Sequence, residues 1–227
     1  MDWPSAQRGA VVRILRAVVV VLAAMVAVPA VAQAAVVSTW PLGSNAQDSV
    51  GSNNGTAQNV TFDGTSAFFG GASVNSRITV PYSTTLVPGS QDVSATVEIN
   101  TTAMPGTGGL DFDILRSSKA GQEYKIELFP KNGLALALCF FSGSLNHKQI
   151  TAGPRLNDGN WHTITCTKTS NQINLIVDGI LVKTATIQIG SIVHKISPLT
   201  IGYKPASGTS AEDFYIGALR NVSVSIG

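Results

Sequence analysis

Paired carboxylates two or four residues apart are the first chemistry this sequence offers: Asp111 and Asp113 stand in DFD, and Glu123 and Glu127 in EYKIE. Two acids on one face can divide acid and base work on a bond to be hydrolysed, provided their oxygens face each other across the substrate. Four strand residues span about 13 Å, so Glu123 and Glu127 stand beyond the usual acid/base separation. Lys125 lies between them on the same face, and solvated strand residues are the expectation. Asp111 and Asp113 are closer, but Gly108-Gly109 before them and Leu115-Arg116 after them point to a strand end at the surface. Paired carboxylates are far commoner on solvated faces than in active sites, so no residue is assigned a catalytic role.

His147, His162 and His194 lack the spacing of a metal cluster, and the order of Ser, His and Asp marks no nucleophile triad. The aromatic residues that could form a sugar platform are Tyr82, Phe68, Phe69, Tyr203 and Tyr215, all near predicted strand ends. Aromatic content is only 7%, which favours core or rim packing for each. Asn-x-Ser/Thr triplets at Asn54, Asn59, Asn100 and Asn221 are near chance frequency in a chain so rich in these residues.

The elements that must position these residues are short strands. Asn157, Asp158 and Gly159 form a turn, after which Trp161, Thr163, Thr165 and Thr167 alternate with His162, Ile164 and Cys166. A second polar break at residues 170–172 precedes Ile173, Leu175 and Val177, and Asp178-Gly179 closes a further hairpin onto residues 180–184. Three consecutive antiparallel strands follow. The alternation makes His162 a core or half-buried imidazole with a hydrogen-bond partner, and places Trp161 on the opposite face, where it packs or stacks on a sugar. No helical apolar period of useful length occurs elsewhere, and β-branched runs separated by Gly, Asn, Ser and Pro indicate an all-β chain. The Gly/Ser/Asn-rich segment 43–59 reads as an ordered rim loop or bulged edge.

The N-terminus is a separate object. Arg8, Arg13 and Arg16 precede an apolar stretch at residues 17–28, and Ala32-Gln33-Ala34 is a small-x-small cleavage site, so residues 1–34 are expected to be a signal peptide. Pro29 interrupts the apolar run short of the ~20 residues that a spanning helix requires. Without Arg8, Arg13, Arg16 and Asp2, the 15 basic and 13 acidic residues become balanced at 12 each. No Lys/Arg cluster with interleaved aromatics remains, which argues against nucleic acid and, after cleavage, membrane as partners. Cys139 and Cys166 are the only two cysteines, and in an exported chain they are expected to pair. Closing a loop of about 27 residues stabilises by roughly 3 to 4 kcal/mol in the chain-entropy model.

The order of Asp-Gly turn, Trp161-His162, alternating strand and Val177-Asp178-Gly179 hairpin resembles the central signature of laminin G-like domains in the concanavalin A-like superfamily. Trp40-Pro41-Leu42 with DSVGSNNGT at 48–56 is similar to that family's opening strand and loop. RITVP at 77–81, VSATVEIN at 93–100, QEYKIEL at 122–128, PLTIGY at 198–203 and FYIGALRNVSV at 214–224 resemble its later strands. The cysteine positions are similar to those of secreted actinobacterial members. The resemblance implies one antiparallel two-sheet jelly-roll sandwich over residues 35–227. It also implies a calcium ion at the rim, with Asp48 and Asn53 as oxygen donors beside Asn54. Where many relatives have Gly-x-Ile-Asp, this chain reads Gly217-Ala218-Leu219-Arg220, so Asp213, or Glu212, would have to supply the second carboxylate. An ordinary Asx turn at Asp48 accounts for the loop equally well. The function implied is a secreted, noncatalytic module binding an extracellular glycan or protein through rim loops. A glycoside hydrolase of the same fold, disfavoured by the lack of a Glu-x-Asp-x-Glu strand, and a structural or adhesion protein are the alternatives. The sequence leaves the oligomeric state open.

Overall fold

A computed structural model describes residues 34–106, 111–118, 121–206 and 213–227. The expected signal peptide, apart from Ala34, lies outside these residues, as do Gly108-Gly109 and Glu212. In chain order the strands are β1 (Ala35–Trp40), β2 (Thr56–Gln58), β3 (Val60–Phe62), β4 (Ala67–Gly70), β5 (Arg77–Val80) and β6 (Val93–Asn100). They continue as β7 (Phe112–Arg116), β8 (Glu123–Lys131), β9 (Leu134–Ser142), β10 (His147–Ala152), β11 (Trp161–Lys168) and β12 (Gln172–Val177). The last are β13 (Ile180–Thr186), β14 (Leu199–Ile201), β15 (Tyr203–Lys204), β16 (Asp213–Phe214) and β17 (Ile216–Ile226). A 3-10 turn at Thr84–Leu86 follows β5. Among the described residues no helix is long and apolar enough to cross a membrane.

The first sheet runs β13-β12-β11-β6-β17-β4-β3, with β1 also pairing β17; the second runs β10-β9-β8-β7-β14-β5-β2. Neighbours pair antiparallel throughout, and sequence alternation decides which side chains enter the space between the sheets. In β6 every second residue, from Val93 to Ile99, is buried, and β12 repeats the pattern with Ile173, Leu175 and Val177. From the second sheet Tyr124, Ile126 and Leu128 meet them at zero exposure. The hairpins follow turn chemistry. Asp178 and Gly179 both adopt positive φ (52° and 77°), as do Asn132 and Gly133 (52° and 75°) between β8 and β9, matching the twist of the strands they join. Cys139 of β9 and Cys166 of β11 form the expected disulfide, which crosses the core and ties one sheet to the other.

The structure corrects two expectations about the acidic pairs. Asp113 is fully buried, and Glu123 and Glu127 are 6% and 1% exposed, rather than solvated. The reason is cross-strand register. Asp113 lies opposite Glu127 and Arg116 opposite Lys125 between β7 and β8, so acids and bases from two strands cover one another on the outer face of the second sheet. Asp111 is half-buried just before β7, and a ribbon of β15 and β16 packs against β7.

Candidate functional site

The rim loop after β1 is organised by one carboxylate. Asp48 Oδ1 accepts the backbone N–H groups of Thr39 (3.0 Å), Val50 (3.0 Å) and Gly51 (2.9 Å), and Oδ2 that of Asn53 (3.0 Å). Burial opposes ionisation, but these donors outweigh it and hold the Asp48 carboxyl below the usual range. Gly51 is required there, because a Cβ would stand 2.6 Å from the Val37 carbonyl oxygen and 2.8 Å from Asp48 Oδ2. Asn53 is buried: its side-chain amide donates to Ser38 Oγ (2.7 Å) and Thr85 Oγ1 (2.9 Å), and its backbone carbonyl accepts from Trp40 Nε1 (2.7 Å). Asp213, the other residue expected to hold calcium, sits in β16 and pairs with Lys204 of β15. The structure thus brings Asp48 and Asn53 together with a set of internal partners, while among the described residues no hydrogen bond or ion pair joins Asp213 to them.

Against this fixed loop lies a depression of about 340 Å³ lined by Ser52, Asn53, Asn54, Pro81, Tyr82 and Ser83. Tyr82 is 37% exposed and its ring meets that of His194 edge-on, with centroids 6.2 Å apart. His194 is almost fully buried without a hydrogen-bond partner for either ring nitrogen, and burial pushes its pKa down. Of the other aromatic candidates, Phe69 and Tyr215 are core residues and Tyr203 pairs with Phe214 in the ribbon. Phe68 is 44% exposed on the first sheet's outer face, beside a shallow groove that includes Asn59, Thr61 and Val74.

The Trp-His hairpin has become an electrostatic clasp. His162 Nδ1 lies 2.8 Å from Asp178 Oδ2 and Nε2 lies 3.1 Å from Asp158 Oδ1, so one imidazole joins two turns. Burial would lower the His162 pKa, but the two carboxylates outweigh it and raise it. Asp158 is driven down to about 2 by the Asn160 backbone N–H and side chain, aided by His162. Trp161 faces the other way under Arg220, whose Cζ is 4.0 Å from the ring centroid. Arg220 Nε donates to Glu98 Oε2 (2.6 Å) and Asn221 Nδ2 to Glu98 Oε1 (2.8 Å). Arg220, at the position where a rim carboxylate was sought, therefore roofs the tryptophan instead.

Sequence reasoning missed a dense charge cluster among the described residues. Arg116 donates from Nε to Asp113 Oδ1 (2.8 Å), from Nη1 to Glu123 Oε2 (2.7 Å) and from Nη2 to Glu127 Oε1 (3.2 Å), and Lys125 also pairs with Glu127. Burial, then the Asp113 charge, pushes Glu127 up to about 8; the same two causes raise Asp111. Burial likewise raises Glu123 in spite of Arg116. The available signal was the pattern acid-x-acid-x-x-Arg on one strand facing Glu-x-Lys-x-Glu on the next.

Two facing antiparallel sheets with irregular, hydrogen-bonded rim loops define a laminin G-like sandwich. Residues 69–225 match the family model Laminin_G_3, described as the concanavalin A-like lectin/glucanases superfamily, and the chain belongs to that family. No curated protein matches the sequence. Among solved structures, the binding domain of Paraclostridial Mosquitocidal Protein 1 is similar with a TM-score of 0.67 at 16% identity, over 84% of this chain and 48% of that one. Domain 4 of AbnA, a GH43 extracellular arabinanase from Geobacillus stearothermophilus solved with arabinotriose, has a TM-score of 0.63 at 12% identity, over 86% and 93% of the two chains. Mouse laminin alpha1 domains LG4-5 have a TM-score of 0.52 at 24% identity, over 70% and 40%. The chain spans about half the length of the first of these, and at such identities the likeness is one of fold.

Proposed function

We propose that this protein is an exported, noncatalytic module that binds an extracellular glycan in the rim depression between Tyr82 and the Asp48 loop. The observation that supports it is the composition of that depression: one half-exposed aromatic ring beside the exposed Asn54 amide and the Ser52 and Ser83 hydroxyls, on backbone fixed by Asp48. A sugar offers an apolar face to stack on a ring and hydroxyls to meet amides and hydroxyls. A loop already ordered loses little entropy on binding. The fold is shared with toxin binding domains and with an arabinanase domain solved with arabinotriose, which supports recognition over hydrolysis. The buried acids weigh against hydrolysis too: Arg116 and Lys125 hold Asp113, Glu123 and Glu127 in ion pairs, and burial keeps these carboxylates out of reach of a polysaccharide.

The test is a glycan array with a parallel pull-down from cell-surface extract, using the secreted protein, whose N-terminus is expected at Ala35. Tyr82→Ala and Asn54→Ala should each weaken the bound glycan at least tenfold, about 1.4 kcal/mol, while the protein stays folded, although each also removes an internal contact, with the His194 ring and with the Asp48 backbone N–H respectively. Binding that survives both changes, or capture of proteins alone, overturns the glycan site. Degradation of a polysaccharide by the purified protein overturns the noncatalytic reading, and self-association without ligand binding points to a structural subunit instead.

A further inference from the structure

Asp111, Asp113 and Glu127 each present a carboxylate oxygen such that all three oxygens lie within 4.8 Å of one another. Oxygens sharing one calcium ion, at ~2.3 to 2.6 Å from it, stand up to about 5 Å apart. Proximity among acids is not in itself a site, but two further observations bear on this one. Asp113 is completely buried, yet only its Oδ1 has a partner, Arg116; Oδ2 accepts no hydrogen bond. A buried carboxylate oxygen left without a donor is costly, and a cation relieves that cost. The Thr200 hydroxyl, directly opposite Arg116 on β14, is also buried without a partner. Charge points the same way. Lys204 and Asp213 neutralise each other, and four carboxyl groups, Asp111, Asp113, Glu123 and Glu127, stand against two cations, Arg116 and Lys125, so crowding favours protonation of the acids and a bound cation would relieve it.

We propose that Asp111, Asp113 and Glu127 bind a hard divalent cation on the outer face of the second sheet, at a place distinct from the Asp48 rim loop. The donors are oxygen only, which selects calcium, magnesium or manganese over zinc or copper. Arg116 holds Asp113 Oδ1 and Glu127 Oε1 and so orients these donors, leaving Asp113 Oδ2 for the ion, while half-buried Asp111 is the more accessible of the three. This inference stands independently of the glycan reading, because none of its residues lines the rim depression.

The experiment uses the full secreted protein, stripped with a chelator and then given calcium, magnesium, manganese or zinc alone. Calorimetry reads binding and thermal melting reads its linkage to folding. One of the hard cations should bind with a one-to-one stoichiometry and raise the midpoint by about 4 °C or more at saturation. Asp111→Asn, at a half-buried position the fold tolerates, should weaken that affinity at least tenfold, and Asp113→Asn should abolish it; if the latter fails to fold, Asp111→Asn carries the test. Absence of heat and of any midpoint shift with all four ions overturns the proposal, as does binding that survives Asp111→Asn, which would place the ion elsewhere.

Discussion

His162 donates from both ring nitrogens only as an imidazolium, and both nitrogens face carboxylates, Asp178 at 2.8 Å and Asp158 at 3.1 Å. Its folded pKa is raised above the unfolded value, so the clasp contributes its full stability below an unfolded pKa of ~6.5 and loses it as pH rises through the folded value. The Asp178 side chain is 42% exposed, so the contribution is under about 1 kcal/mol. His194, lowered by burial with no part played by His162, should contribute alike to both proteins and cancel from their difference. The stability difference between the native protein and His162→Asn, followed by urea unfolding, should therefore be larger at pH 5 than at pH 8; an equal difference at both would show that the ion pairs add nothing. Alternation along residues 161–167 was sufficient to place this imidazole on a face. It could not supply the partners, because Asp178 is sixteen residues away in sequence and arrives only when β11 and β12 pair. Glu127 shows the same limit more sharply: its strand neighbours suggested solvent, whereas Asp113 and Arg116 from β7 bury it.

At the level of elements, the Asp48 loop behaves as one unit because a single side chain satisfies four backbone donors that the irregular chain leaves without strand partners. Asp48→Ala should destabilise the protein by about 2 to 3 kcal/mol, less than four charged hydrogen bonds would suggest because water reaches part of the loop. Urea unfolding measures the loss. Amide exchange should show the Thr39, Val50, Gly51 and Asn53 N–H groups losing protection, and unaltered exchange at these four would refute the role given to Asp48. The hairpins were legible from turn residues alone, since Asp178-Gly179 adopts the positive φ pair that a two-residue connection demands. The rim was half legible. Asp, Asn and Gly announced a tight loop with oxygen donors, but a carboxylate that binds backbone and one that binds an ion draw on the same residue types.

Across the whole molecule, two sheets are held by apolar packing and by one covalent link through its middle. Cys139 and Cys166 are both buried, on β9 and β11, and their bond restrains the sheets rather than a surface loop. Cys139→Ala combined with Cys166→Ala should lower unfolding free energy by about 2 to 4 kcal/mol. The far-ultraviolet spectrum should stay that of a folded β protein, because a core drawn from most strands of both sheets remains. Collapse to an unfolded chain would show that the core is insufficient without the link. By itself the sequence determined what neighbours along the chain can decide: strand periods of two, turns that require positive φ, the pairing of the only two cysteines, and hence a laminin G-like sandwich. Only the tertiary structure decided which distant side chains share a place, making Arg116 the centre of a buried acidic cluster, Arg220 the roof of Trp161, and Tyr82 the exposed ring beside a rigid loop. The physical reason is that burial and charge pairing are set by cross-strand register, and register joins residues that no local period relates.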